Sequence, residues 1–498
     1  MNLNLPGLSL AKRKITLYRK RSVETFGAHY VSYAQVLQTV GILGKRCYVP
    51  QNWRHVNEMS SNGTDDTDFY EEKKNDTIAK KDEHYFYDFR DEWLLFHNKE
   101  YVCFWFIVAY SSGHFFGSLL GGHLSDNLGR LWATFPTLSV TLVCGVLSVT
   151  CNDWTMMMAF QAVIGLLVGK METCAMVFLS EITDAEYRIL PLACTSGSLA
   201  TLLVTLLSFL TRHWRYYLIF LNLICAPLLY MFLLLQESPR WLIAKGRNRR
   251  AANVLSEMGS ELWTDEPTEV NVNQLSLLPK EMDEHKVYTI FCLFSKRSVA
   301  GKTVFLIWCC FAHNTISMAT FSDSRIGEIG VMSHSSLYGI LTLCVVALLV
   351  CADFKIKSIS HRQIMAFALA TEIILLSSIV AILHLQSSNN HSLPIVLVAL
   401  FAAAINDGLC LVMLLHIVAT AYPTVARALG YGLFIAVKDV SNIAIILLLG
   451  YCETQYIGSY EIAAVCTLIT LVLCVWLQPE AKYCITGRFL PDFFYECT

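Results

Sequence analysis

The sequence predicts an all-α polytopic membrane protein, and three observations carry that reading. Apolar residues arrive in blocks of about 20, the length that crosses a roughly 30 Å hydrocarbon layer at 1.5 Å per residue. Only 16% of the 498 residues are charged and 54% are hydrophobic, against roughly 25% charged in soluble chains. The mean hydropathy of +0.46 points the same way.

Composition also narrows the function. A net charge of -2 without a basic stripe gives no footing for nucleic acid. The 18 cysteines lie mostly within apolar blocks, as Cys144, Cys174, Cys309 and Cys310 do, with no paired CxxC spacing. They read as small packing residues, and no metal site is expected. The chain shows no phosphate-cradling glycine loop and no nucleophile motif, so neither an enzyme nor a cofactor is expected. Met1–Ala11 is too short and too weakly apolar for a cleavable signal peptide.

Eleven spans are clear, near 101–123, 132–150, 155–179, 190–210, 216–235, 301–320, 334–352, 364–385, 394–416, 429–450 and 459–477. A twelfth, first in order, is degenerate. Residues 24–44 carry Glu24, His29, Ser32 and Gln35 on all faces, and hydropathy alone does not select them. Topology does. Lys and Arg concentrate after spans two, four, six, eight and ten, at Arg130, Arg188, the Arg240–Lys302 stretch, Lys355, Lys357, Arg362 and Arg427. The positive-inside rule puts those connections in the cytoplasm. The sequons at Asn62, Asn75 and Asn390 then fall outside, as glycosylation requires. An outer loop over 45–100 needs a preceding span to deliver it.

The predicted organisation is an N-terminal segment (1–100) with the weak helix and a glycosylatable outer loop, and the rest of a first helical bundle (101–235). A cytoplasmic linker (236–300), a second bundle (301–477) and a cytoplasmic tail (478–498) follow. Internal repetition supports two six-helix halves. Glu181 to Arg188 after span four matches Thr420 to Arg427 after span ten, with the arginine at the same offset and Thr420 in place of the glutamate. The stretch Gly122–Arg130 after span two is matched after span eight only by the degraded Lys357–Arg362. Six spans, a linker and six spans is the layout of the major facilitator fold, with substrate held between the halves near mid-membrane.

Three motifs narrow the resemblance. Gly122-x-Leu124-x-Asp126-x-x-Gly129-Arg130 looks like the general facilitator motif between spans two and three. Glu237-Ser238-Pro239-Arg240-Trp241-Leu242 and Tyr422-Pro423-Thr424-x-x-Arg427 resemble solute carrier family 22, the organic cation, anion and carnitine transporters, as does Lys45–Pro50 at the start of the outer loop. The resemblance runs from about Ala28 to Pro479 and implies alternating access at the plasma membrane. The chain departs from the family pattern in its Lys- and Arg-rich Met1–Gly27, in Cys47 as the lone cysteine of the outer loop, and in Thr420.

By this resemblance Gly122, Asp126, Gly129 and Arg130 form a gate, with Glu181, Arg188 and Arg427 as parts of the same cytoplasmic latch. Asp126 is placed to cap a neighbouring helix and to pair with Arg188 or Arg130; the plain alternative is a turn that only holds the fold. Asp439, about ten residues into span eleven, is the sharpest substrate candidate. A carboxylate there costs at least about 2.5 kcal/mol on insertion scales, so it is expected to face a cavity. The resemblance links an acid at this position to cations, whereas a cavity-facing Lys438 would favour anions or zwitterions. Lys170 and Glu172 in span four, Glu372 in span nine, and Asn406, Asp407 and His416 in span ten are further polar residues in apolar surroundings. Each has a structural pairing as its alternative. Trp308 and Tyr431 are packing residues that can also stack on a cation. His114 and His123, nine residues apart, lack metal-ligand spacing and read as packing or interfacial residues.

The expected function is transport of a small organic ion, cations favoured, through the lipid bilayer. The coupled ion is not specified by the sequence. The rivals are an organic anion or carnitine-like carrier, and a transport-inactive receptor or scaffold, motivated by the degraded second-half motifs. A sugar-type facilitator would need more cavity amides than Asn314 and Asn406.

Overall fold

The computed structural model describes residues 86–477 except 94, 96–100, 184–188, 195–196, 231–234, 261–289, 296, 322–330, 356–360, 386–391, 423 and 455–457. The degenerate first span, the sequons at Asn62, Asn75 and Asn390, and Arg188 lie outside the described residues.

In the first half, a short α1 (Phe89–Glu92) precedes α2 (Tyr101–Leu128), α3 (Arg130–Ser148), α4 (Trp154–Ile182), α5 (Ile189–Cys194), α6 (Ser198–Thr211) and α7 (Trp214–Cys225). A linker hairpin follows, α8 (Pro239–Ala244) and α9 (Asn248–Ser260). The second half holds α10 (Cys292–Ser295), α11 (Arg297–Phe321), α12 (Val331–Lys355), α13 (His361–Leu385), α14 (Ser392–Ile405), α15 (Leu411–Ala421), α16 (Thr424–Thr454) and α17 (Ser459–Leu477). Among the described residues, eight helices are long and apolar enough to cross a membrane. The 28-residue α2, about 42 Å long at 1.5 Å per residue, is long enough as well.

Three expected spans are less regular than their hydropathy. The span over 190–210 divides into α5 and α6, with Gly197 at φ +81° opening α6, a conformation glycine adopts at no steric cost. The span over 216–235 tightens after Cys225 into a 3-10 turn, Ala226–Tyr230, at Pro227. The span over 394–416 is interrupted by a π-helical turn at Asn406–Cys410. Hydropathy averages across a window and is blind to such changes in winding.

One core lies within the first half, and a larger one joins Met176, Leu179 and Leu192 of the first half to the helices of the second. Leu131, Phe135, Ile164, Phe178 and Leu221 anchor the first, and Phe305, Leu369, Leu400 and Tyr431 are buried in the second half. The face toward lipid is apolar instead, with Trp132, Leu210, Leu348 and Ile374 exposed.

Close backbone contact sets the central helices. A Cβ at Gly117 would lie 2.0 Å from the Leu166 carbonyl oxygen, and one at Gly169 would lie 2.3 Å from that of His114. Only glycine lets α2 and α4 approach so far, the small-residue packing common between membrane helices. A Cβ at Gly432 would lie 2.7 Å from the Ser118 carbonyl oxygen, so α16 of the second half lies directly on α2 of the first.

Candidate functional site

These contacts bring three ionisable side chains together inside the molecule. Glu172 follows Gly169 by one helical turn, and Asp439 follows Gly432 by two. His114 of α2 sits between them: its Nδ1 is 2.7 Å from Asp439 Oδ2 and its Nε2 is 3.1 Å from Glu172 Oε2. The Tyr110 ring stacks on the imidazole at 5.6 Å. The His114 side chain is fully buried, while 11% of the Asp439 side chain remains accessible, which leaves Asp439 as the open member of the trio. Lys438 is half-buried, and its charge reaches both carboxylates. Its backbone carbonyl accepts a 2.7 Å bond from Asn314 of α11.

The reading of His114 as a packing residue is therefore corrected: it joins the two halves through charged partners. The sequence held a usable signal. Gly113-x-x-x-Gly117-x-x-x-Gly121 in α2 faces Gly165-x-x-x-Gly169 in α4, and two glycine stripes that dock place His114 beside Glu172. The neighbouring Lys170 is half-buried. Its backbone abuts Gly121.

A second polar cluster surrounds the π-turn. His313 Nδ1 is 3.0 Å from Asn406 Oδ1, and Asn406 Nδ2 donates to the His313 carbonyl at 2.9 Å. His313 Nε2 lies 3.3 Å from Asp407 Oδ1, and the Tyr338 hydroxyl donates to Asp407 Oδ2. Such turns recur at functional sites because the extra residue re-aims the side chains around it. Glu372 is fully buried nearby; Cys410 donates to one of its oxygens at 3.4 Å, and the other has no hydrogen-bond partner among the described residues.

Two aromatic candidates fall elsewhere. Trp308 is held toward α17 by a 3.1 Å bond from its Nε1 to Thr470. Tyr431 is fully buried with its hydroxyl on the Leu415 carbonyl at 3.2 Å. Tyr431 is thus enclosed by helix packing, while Trp308 stays half-buried. The side chain of His416 lies outside the described residues.

The latch candidates gather at one end of α2 to α4. Arg130 is fully buried and donates to Asp126 Oδ1 at 2.7 Å, to Glu181 at 2.8 and 3.2 Å, and to the Ser125 carbonyl at 2.8 Å. Paired acceptors on a planar guanidinium make the strong form of a charge-assisted bond. Gly129, at φ +111°, makes the turn between α2 and α3. A Cβ at Gly122 would lie 2.8 Å from the Ala428 carbonyl oxygen, so Gly122 sets the approach of α16.

At the start of α3 the Asp126 carboxylate is taken by Arg130, one of the two partners expected of it. Glu237 of the linker caps α3 instead, accepting from the Arg130 and Leu131 amides at 2.8 and 3.2 Å, where the helix dipole favours a negative charge. Burial pushes the Glu237 carboxyl up, against the pull of those amides. Ser238 then caps α8 with Pro239 in its first turn, and Trp241 Nε1 donates to the Asp126 carbonyl at 3.1 Å. The linker motif thus clamps the turn between α2 and α3. Arg427 is buried nearby with its charge reaching Glu181.

Two packed halves of apolar, membrane-length helices, joined at the seam by the His114–Asp439 pair, have the architecture of the major facilitator type. The chain belongs to the sugar (and other) transporter family, whose pattern matches residues 40–485. It is 22% identical to human organic cation/carnitine transporter 2 over 80% of this chain and 70% of that protein. It is 27% identical to solute carrier family 22 member 15 of Xenopus tropicalis over 45% of this chain and 43% of that one. An uncharacterised Caenorhabditis elegans protein, F23F12.3, is 28% identical over 41% of this chain and 40% of its own length, so the worm and frog matches span about two fifths of those proteins. The proton:xylose symporter XylE shares the fold at a TM-score of 0.65 and 14% identity, covering 94% of this chain and 96% of that one. Solute carrier family 22 members are therefore homologues, and the non-enzymatic expectation is consistent with them.

Proposed function

We propose that this protein carries small organic ions, cations favoured, by alternating access, with Asp439 and Glu172 as the anionic part of the substrate site. The observation that carries the reading is the His114 bridge between an acid of α4 in the first half and an acid of α16 in the second. Rocking one half on the other must change that bridge, which is what a site at the seam of a facilitator needs. The two carboxylates that meet at the seam, Asp439 and Glu172, support cations over anions. Asp407 and Asn406 at the π-turn extend the polar path, with Lys438 tuning the trio.

The Asp126–Arg130–Glu181 cluster, with Gly122, Gly129 and Arg427, is read as the gate at the cytoplasmic end. The Lys and Arg content of that end supports its orientation, and the plasma membrane is the proposed location. The test is uptake of a permanently charged cation by cells expressing the chain. Saturable uptake lost in Asp439→Asn, at unchanged surface abundance, is the expected result. Full surface abundance with no flux of cations, anions or carnitine would replace the carrier with a receptor or scaffold.

A further inference from the structure

Both ring nitrogens of His114 lie at hydrogen-bonding distance from carboxylate oxygens, Nδ1 at 2.7 Å and Nε2 at 3.1 Å. An ionised carboxylate only accepts, and a neutral imidazole has one N–H. The trio therefore holds one proton more than a neutral histidine beside two carboxylates. That proton sits on the imidazole, or it turns one acid into a donor. No water competes for it, because His114 is fully buried. The other groups facing it are Tyr110 on its own helix, stacked on the ring, and Lys438 of α16, which acts through its charge on both acids. Of its ionisable side chains, α3 brings only Arg130, at the latch end, and Cys144.

We propose that the trio is a proton-exchange site: it keeps this proton while empty and gives it up when an organic cation takes the two carboxylates, so that one proton leaves for each cation bound. The balance is simple. The N–H bond breaks with its electron pair left on nitrogen, and the proton passes to water on whichever side Asp439 faces. The site carries a net single negative charge before and after, because the incoming positive charge replaces the outgoing one. Loaded and unloaded carriers then cross with the same charge, and the cycle is electroneutral. This inference rests on the substrate site proposed above.

The test uses purified full-length protein in phosphatidylcholine vesicles, with potassium equal on both sides and valinomycin holding the potential at zero. The probe is radiolabelled tetraethylammonium, which has no proton of its own to lose. With the interior one pH unit more acid than the outside, the expected result is about tenfold accumulation inside, the ratio that one-for-one exchange sets at equilibrium. A trapped pH dye should report the matching loss of internal protons. His114→Gln, which cannot titrate, is expected to remove the dependence on the pH gradient. The wild-type measurement decides the matter even if that variant does not fold. Saturable flux that ignores the gradient in the wild type overturns the exchange and leaves the carrier reading standing. No saturable tetraethylammonium flux at any pH removes the cation-carrier reading, and the exchange with it.

Discussion

Each half buries an arginine at the same end of the bundle, and the two are held differently. In the first half Arg130 is enclosed by Asp126, Glu181 and the Ser125 carbonyl, all between 2.7 and 3.2 Å. In the second half Arg427 is 3% exposed, yet it reaches only the Tyr422 carbonyl at 3.4 Å, and its Nε and Nη1 lack hydrogen-bond partners among the described residues. Sequence explains the contrast: Thr420 stands where Glu181 does, and Ser358 stands four residues before Arg362 as Asp126 stands before Arg130. One half is a closed electrostatic clasp. The other buries a positive charge that no carboxylate hydrogen-bonds among the described residues, with Glu181 reaching it only through its charge. Buried charge is tolerable when paired and costly when bare, so the second half is where the end of the bundle should yield first.

The largest expected effect breaks the closed clasp. Glu181→Gln leaves the Arg130 guanidinium buried with Asp126 as its remaining acid. Removing one partner of a buried pair typically costs about 3–5 kcal/mol. Thermal unfolding in detergent should show a clear fall in midpoint, and surface abundance should drop with it. A midpoint close to that of the wild type would mean that water already screens the cluster.

A smaller effect on stability, with a separate effect on transport, sharpens the contrast. Arg427→Gln removes a buried charge that is under-bonded in this arrangement, so the unfolding midpoint is expected to hold or to rise slightly. If Arg427 finds Glu181 as the halves rock, turnover falls while the unfolding midpoint does not. A large loss of stability in this variant would show that Arg427 is balanced after all, and the asymmetry between the halves would disappear.

The fold was legible in the sequence because span length and loop charge are properties of single segments. Asp439, Glu172 and Arg130 were legible for a related reason: an ionisable residue inside an apolar block stands out without any partner being known. The winding of α14 through the π-turn to α15 was not legible, since a one-residue change in pitch leaves the hydropathy window unaltered. Nor was His114, whose role exists only once Gly117 and Gly169 let two backbones touch. The cap on α3 was not legible either: it comes from Glu237, more than a hundred residues further on, which only a linker that folds back can bring to the Arg130 and Leu131 amides.

The far end of the first half offers the smallest expected effect and the cleanest pH dependence. There Glu92 of α1 accepts from Trp214 Nε1 at 2.7 Å and Arg215 Nε at 3.2 Å, and Arg215 also donates to the Val149 and Cys151 carbonyls. The Arg215 guanidinium holds the Glu92 carboxyl below its ordinary range, against partial burial, with Trp214 adding to the pull. The sign follows from linkage. A depressed acid contributes stability above its unfolded-state value and loses it as pH falls through the folded value. The site is partly open, with 27% of the Glu92 side chain accessible, so solvent screens it and the contribution is expected to be about 1 kcal/mol or less. Glu92→Gln should therefore lower the unfolding midpoint slightly at pH 7 and match the wild type once the acid is fully protonated. A difference that persists unchanged at low pH would assign the effect to packing of α1 against Trp214. The tie at this end would then be structural in the way the Arg130 clasp is not.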